Sequence, residues 1–178
     1  ISAANDLVLA VEGSKAANAL LVLPAFSFTG KPATVEQAHA WAEAETGRST
    51  QSLTNFAIRT GAHVVGSHVE RDGDQLFHSV QLLEPGGKII GRYRQTHLDE
   101  STAQWATAGD DIPVFNTAIG RIGLLACDDV RFPEAAGVLE VGRADIIAIP
   151  SAWDGSYGGW LQEPKGLFTN PYAENTMV

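Results

Sequence analysis

The sequence predicts an α/β fold built on mixed sheets, and three observations predict it. First, Ala19-Leu20-Leu21-Val22-Leu23-Pro24, His63-Val64-Val65-Gly66-Ser67 and Asp145-Ile146-Ile147-Ala148-Ile149-Pro150 are short apolar runs that stop at a breaker or a small residue. Runs without alternation read as strands buried on both faces. Second, each run follows a helix-like stretch: Asp6 to Ala17, Val35 to Arg59 and Pro133 to Val141. Helix–strand alternation reads as a layered α/β architecture. Third, hairpin-like segments lie between these units, which adds antiparallel pairs to the parallel ones.

In chain order, the Asp6–Ala17 helix feeds the first strand, and the long Val35–Arg59 stretch feeds the second. Gln75 to Glu84 and Lys88 to Arg94 then flank Pro85-Gly86-Gly87, a strong turn signal. Ile112 to Phe115 and Arg121 to Cys127 flank the Asn116–Gly120 connection. Pro133 opens the last helix of the pattern, because proline at the first helical position loses no hydrogen bond. The acid pair Asp110-Asp111 after Gly109 reads as a solvated turn.

A length of 178 residues fits one domain, residues 1–178, and allows extensive burial. Apolar residues make up 44% and charged residues 19%, the balance of a globular protein in water. The net charge of −9, from 12 Lys+Arg against 21 Asp+Glu, argues against nucleic acid or an anionic membrane as partner. The longest apolar run, Ala19 to Phe26, is interrupted by Pro24 and falls far short of the roughly 20 residues of a membrane span. The single cysteine excludes an intrachain disulfide, and the start reads as neither a signal peptide nor a methionine start. A cytoplasmic setting is the expectation.

That cysteine sits in the most informative segment, Gly120-Arg121-Ile122-Gly123-Leu124-Leu125-Ala126-Cys127-Asp128-Asp129-Val130-Arg131-Phe132-Pro133-Glu134. An apolar strand runs into a thiol, a tight polar turn and a helix start, which is how a nucleophile is presented at the end of a sheet. Cys127 to Glu134 resembles the Cys-x-Asp-x-Arg-Phe-Pro-Glu elbow of the nitrilase superfamily of carbon–nitrogen hydrolases. Three further segments resemble that family in the right order. Leu21 to Gly30 is similar to the segment in which Pro-Glu ends a strand. Gly91 to Leu98 is similar to the Tyr-Arg-Lys-x-His-Leu segment. Ala144 to Trp153 is similar to the Gly-Ala-Asp strand ending in Pro-Ser-Ala-Trp.

The resemblance implies an αββα sandwich and a chemistry that uses a Glu base, a Lys for the oxyanion and a Cys nucleophile. A thiol of ordinary pKa, about 8.5, is only a few per cent thiolate at neutral pH, so it needs an adjacent base or cation. Aligned residue by residue, Cys127 holds the nucleophile position, Ala25 the Glu position and Gln95 the Lys position. Thr102, counted back from Trp105, holds a second Glu position. Each missing group removes about 10²–10⁴ in rate. Two readings stay open: a catalytically impaired domain retaining a pocket cysteine, and an active amidase-type hydrolase using replacement groups. Reaction of the thiol with electrophiles or oxidants without turnover is a third.

Possible replacements are few. Glu100 lies two residues from Thr102, and His97 could pair with Cys127, although a structural hydrogen-bonding role suits it better. Gln95 can donate a hydrogen bond but carries no charge. Asp128 beside the thiol disfavours the thiolate if it faces sulfur. Asp129 and Arg131 read as braces of the turn, and Glu134 as a charge at the helix N-terminus. Trp153, Asp154 and Tyr157 follow a strand end among glycines, and form either a substrate-binding pocket wall or a surface loop. Phe26 and Phe28 read as core. His63, His68 and His78 lack metal-ligand spacing and read as packed or surface residues.

No metal and no cofactor is called for. The expected partner is a small amide-like or nitrile-like molecule. The family domain is longer than this chain, so the sandwich is expected to be incomplete at both ends, with an exposed sheet face that a second copy would cover. A homo-oligomer is therefore expected.

Overall fold

The computed structural model describes residues 18–152. The helix expected over Asp6–Ala17 therefore falls outside the described residues. The first apolar run forms β1 (Leu20–Val22). The Val35–Arg59 stretch, expected as one helical unit, is two helices, α1 (Val35–Trp41) and α2 (Arg48–Thr60). The break has a tertiary cause. Glu43 N–H donates to Val69 O at 2.9 Å, Arg71 N–H donates to Glu43 O at 2.7 Å, and the Glu43 carboxylate accepts Ser49 N–H at 2.7 Å. A residue that could continue a helix is instead bridged to a strand and caps the next helix. Thr34 caps α1, its hydroxyl accepting Gln37 N–H at 3.2 Å. Gly61, at φ 65°, ends α2 in the left-handed conformation that glycine adopts without strain.

Strands β2 (His63–Asp72), β3 (Gln75–Leu83) and β4 (Ile89–Arg94) follow. The second run extends five residues beyond Ser67, and its ladder with β3 continues until Asp72 faces Gln75. Gly73-Asp74 supplies the two-residue turn, with Gly73 at φ 60°. The remaining elements are β5 (Val114–Thr117), β6 (Gly120–Leu124), a 3₁₀ turn over Cys127–Arg131, α3 (Pro133–Val141) and β7 (Ile146–Ala148).

Both sheets are mixed. The first has the order β1-β2-β3-β4, with β1 parallel to β2 and the rest antiparallel. The second has the order β5-β6-β7, antiparallel then parallel. Val65, Val80, Leu82 and Tyr93 from the first sheet share one buried cluster with Ile122 and Leu124 from the second. Leu53, Phe56 and Ala57 of α2 pack with Val64 and Leu83 on the other face of the first sheet. Leu139 of α3 presses so closely on Gly123 that a Cβ there would lie 2.6 Å from it. The layers therefore run helix, sheet, sheet, helix, the αββα arrangement expected.

Burial on both faces holds for His63–Ser67, all of which are buried. It does not hold for the other two runs. Val22 and Ile147 are each 41% exposed, because β1 and β7 are edge strands among the described residues.

Candidate functional site

The elbow begins where β6 hands its pairing on. Leu125 N–H donates to Ala148 O at 3.1 Å and Cys127 N–H to Pro150 O at 3.2 Å. Cys127 then turns into the left-handed region at φ 43°. That conformation costs a residue with a Cβ on the order of 1 kcal/mol, so neighbours must hold it.

Asp129 is the holder. It is fully buried, and its carboxylate accepts Tyr93 O–H at 2.6 Å, Ala126 N–H at 2.9 Å and Thr96 O–H at 3.2 Å. It also accepts His97 N–H at 2.8 Å and faces His97 Nδ1 at 3.0 Å. One carboxylate thus ties the end of β4 to the cysteine turn. Burial, with the Asp129 charge behind it, pushes the Tyr93 phenol well above its ordinary range. The His97 ring stacks on Phe132 at 4.0 Å, so His97 is a brace of the elbow. Arg131 reaches Asp128 at 3.4 Å.

Ala25 stands on the other side of the same strand end. Its N–H donates to Ser151 O at 3.1 Å, next to the Pro150 carbonyl that receives Cys127. Ala25, Phe26, Trp105 and Cys127 belong to one buried apolar cluster. Cys127 is 5% exposed. Burial pushes its thiol up to about 11, with Asp128 and Asp99 adding to the effect. The Ala152 N–H and the Lys31 charge oppose it without overcoming it. The sulfur is therefore protonated at neutral pH.

Gln95 is buried and spoken for. Its Nε2 donates to His97 O at 2.7 Å, which turns Oε1 toward His78 Nδ1, also at 2.7 Å. His78 Nδ1 must then be the donor, and its Nε2 accepts from Ser67 Oγ at 3.0 Å. Ser67 Oγ in turn accepts Phe26 N–H at 3.0 Å. The Phe26 ring stacks on His78 at 4.2 Å. A continuous neutral chain therefore runs from the residue after Ala25 to Gln95. Burial lowers the His78 pKa to about 4, so the imidazole is uncharged at neutral pH. Gly109 N–H donates to Gln95 O at 2.9 Å and fixes its backbone.

Thr102 is buried, and its N–H and O–H both donate to the Asp99 carboxylate, at 2.8 and 2.9 Å. Asp99 also accepts Ser101 N–H at 2.8 Å and pairs with Lys31 Nζ at 3.5 Å. Burial works against its ionisation, but these hydrogen bonds and the Lys31 charge hold it well below the usual carboxylate range. Glu100 is exposed, and so is Glu134 in the first turn of α3.

Sequence reasoning missed two participants. His78 alternates with Val80 on β3 and so faces the space between the sheets, but nothing in its neighbours marks it out. Lys31 follows the Phe26–Gly30 turn, whose closure by Gly30 N–H on Phe26 O at 2.7 Å brings the chain back. His63 and His68 are buried rather than superficial. Trp153, Asp154 and Tyr157 lie outside the described residues. A groove of about 860 Å³ lined by Phe28, Trp41, Glu43, Arg48 and Asn55 does not include Cys127. Among the described residues, no cluster of His, Cys, Asp and Glu could hold a metal, and no helix is long and apolar enough to cross a membrane.

Residues 4–164 match the family model described as carbon–nitrogen hydrolase. A nitrilase of Pyrococcus abyssi is 34% identical over 79% of this chain and 54% of its own length. A hydrolase from the pqqF 5′ region of Pseudomonas protegens is 34% identical over 75% of this chain and 48% of its own. The chain thus spans about half the length of these relatives. A solved carbon–nitrogen hydrolase of Helicobacter pylori superposes with a TM-score of 0.73 at 25% identity, over 85% of this chain and 53% of that one. With its elbow cysteine, its αββα layering and this match over most of its length, the chain belongs to the carbon–nitrogen hydrolase family.

Proposed function

We propose that the domain is catalytically impaired, a pocket-bearing member of its family that binds a small amide-like or nitrile-like molecule at Cys127 without efficient hydrolysis. One observation carries this reading. The Glu position is an apolar Ala25, and the Lys position is a Gln95 whose amide is consumed by His78 and His97. A buried, protonated thiol then faces neither a proton acceptor nor a fixed cation at those positions. Loss of the two groups at about 10²–10⁴ each would leave little turnover, even allowing for non-additivity within a catalytic unit.

The second reading is an active amidase-type hydrolase working through Cys127. The names of the relatives, a nitrilase and a hydrolase, favour it, and so does the retained left-handed backbone at the cysteine. Strain of that kind persists where a site has been built around it.

A panel of amides, nitriles and carbamoyl compounds, followed by ammonia release with Cys127→Ser as control, separates the two. Release no faster than in the control supports impairment, and Cys127-dependent release overturns it. Self-association is part of the proposal. Val138 and Val141, one helical turn apart on α3, are 48% and 86% exposed, and Val130 beside the elbow is 43% exposed. A sedimentation measurement giving only monomer would remove that part.

A further inference from the structure

We propose that Lys31 is the cation that serves the Cys127 site, entering from the Phe26–Gly30 turn, and that Asp99 is the counter-ion holding its charge in check. The inference rests on the reading that the Lys position itself is neutral, and it identifies where a compensating charge lies.

Two loops converge on the thiol. One carries Ala25, which bonds the strand end beside the Pro150 carbonyl that receives Cys127, and it closes through Gly30 N–H on Phe26 O at 2.7 Å immediately before Lys31. The other carries Asp99, whose carboxylate binds the N–H and O–H of Thr102 at the second Glu position. The Lys31–Asp99 ion pair, at 3.5 Å, joins the two loops. Trp105, at the end of the second loop, packs in the same buried cluster as Ala25, Phe26 and Cys127. Lys31 is about one-third exposed, so it stands at the margin of the site rather than within it.

Among the described residues, Lys31 acts on the sulfur in favour of the thiolate, and Asp128 and Asp99 act against it. Burial keeps the thiol protonated, and an ammonium paired with a carboxylate presents little net field to oppose it. Remove the carboxylate and the same ammonium favours the thiolate.

The single cysteine makes this directly measurable. In protein labelled with ¹³Cβ-cysteine, one resonance reports Cys127 ionisation as pH is varied. Asp99→Asn should lower the midpoint by about half a pH unit or more, roughly a threefold rise in thiolate at fixed pH. Lys31→Met should raise it, and Lys31→Arg should leave it near the wild-type value. Circular dichroism verifies the fold of each variant. If Asp99→Asn perturbs its turn, the Lys31→Met and Lys31→Arg pair decides the matter. Coincident curves for wild type and Lys31→Met, or an upward shift in a folded Asp99→Asn, would overturn the proposal. None of these outcomes depends on hydrolysis, so the inference can fail while the reading of an impaired site stands, and the reverse.

Discussion

His78 donates its Nδ1–H to the side-chain oxygen of Gln95 at 2.7 Å. The bond matters because it completes a buried polar network around Gln95 without any charged group. The amide satisfies an imidazole on one side and the His97 carbonyl on the other. The imidazole is satisfied again by Ser67, and Ser67 by the backbone next to Ala25. No charge is needed anywhere along the chain.

Restoring charge should therefore be costly one residue at a time. Gln95→Lys puts an ammonium where His78 now donates, and Ala25→Glu buries a carboxylate in an apolar cluster. Each should destabilise by about 1–3 kcal/mol. The double variant should cost less than the sum by about 1 kcal/mol or more, because the two charges compensate each other. Urea unfolding of the four-protein cycle measures the coupling, and additive costs would show that the two positions no longer address one site.

His78 also sets an acid limit. Its pKa in the folded chain is lowered from 6.5 to about 4 by burial, so the unfolded chain binds the proton first as pH falls. Stability is thus full above about pH 6.5 and is lost progressively between there and pH 4. At 1.36 kcal/mol per unit, the loss from pH 6.5 to 5 is about 2 kcal/mol. His68 and His63 are shifted in the same direction, so the test is a difference. His78→Asn should unfold with a shallower pH dependence than wild type between pH 7 and 5.

The elbow should depend on Asp129 more than on any single partner. Tyr93→Phe removes one of its hydrogen bonds and should cost about 1–2 kcal/mol. Asp129→Ala strands buried donors from Tyr93, Ala126 and His97 at once and should cost about 3–5 kcal/mol. Thermal melts of the two variants give the ranking, and equal costs would contradict it.

Gly109 provides a packing test. A Cβ there would sit 2.2 Å from Arg94 O, a backbone atom that cannot step aside. Gly109→Ala should destabilise by about 1–3 kcal/mol, since overpacking at this point forces the Gln95 backbone to move. A melting temperature equal to that of wild type would show that this loop tolerates the shift.

Much of this was legible in the residues because the elbow concentrates rare types. A lone cysteine between an apolar strand and Arg-Phe-Pro-Glu leaves few alternatives. Helix–strand alternation predicts only a layered α/β fold, and the two-sheet sandwich follows from the family resemblance of the elbow and its companion segments. The break between α1 and α2 was not legible, because Ala42 to Gly47 is compatible with helix until Val69 and Arg71 claim Glu43. The full length of the β2–β3 hairpin rests on the Gly73-Asp74 turn, whose flanking strand end carries charge at Glu70, Arg71 and Asp72. His78 and Lys31 were hidden for a different reason. Each matters through contacts across the fold, with Gln95 and Asp99 respectively, and sequence spacing carries no trace of such pairs.

The most direct measurement is ammonia release from amides and nitriles with protein and substrate at equal concentration, so that even one slow turnover registers. Wild type indistinguishable from Cys127→Ser is the predicted result. Release that needs the Cys127 sulfur, in protein that keeps Ala25 and Gln95, would contradict an impaired site.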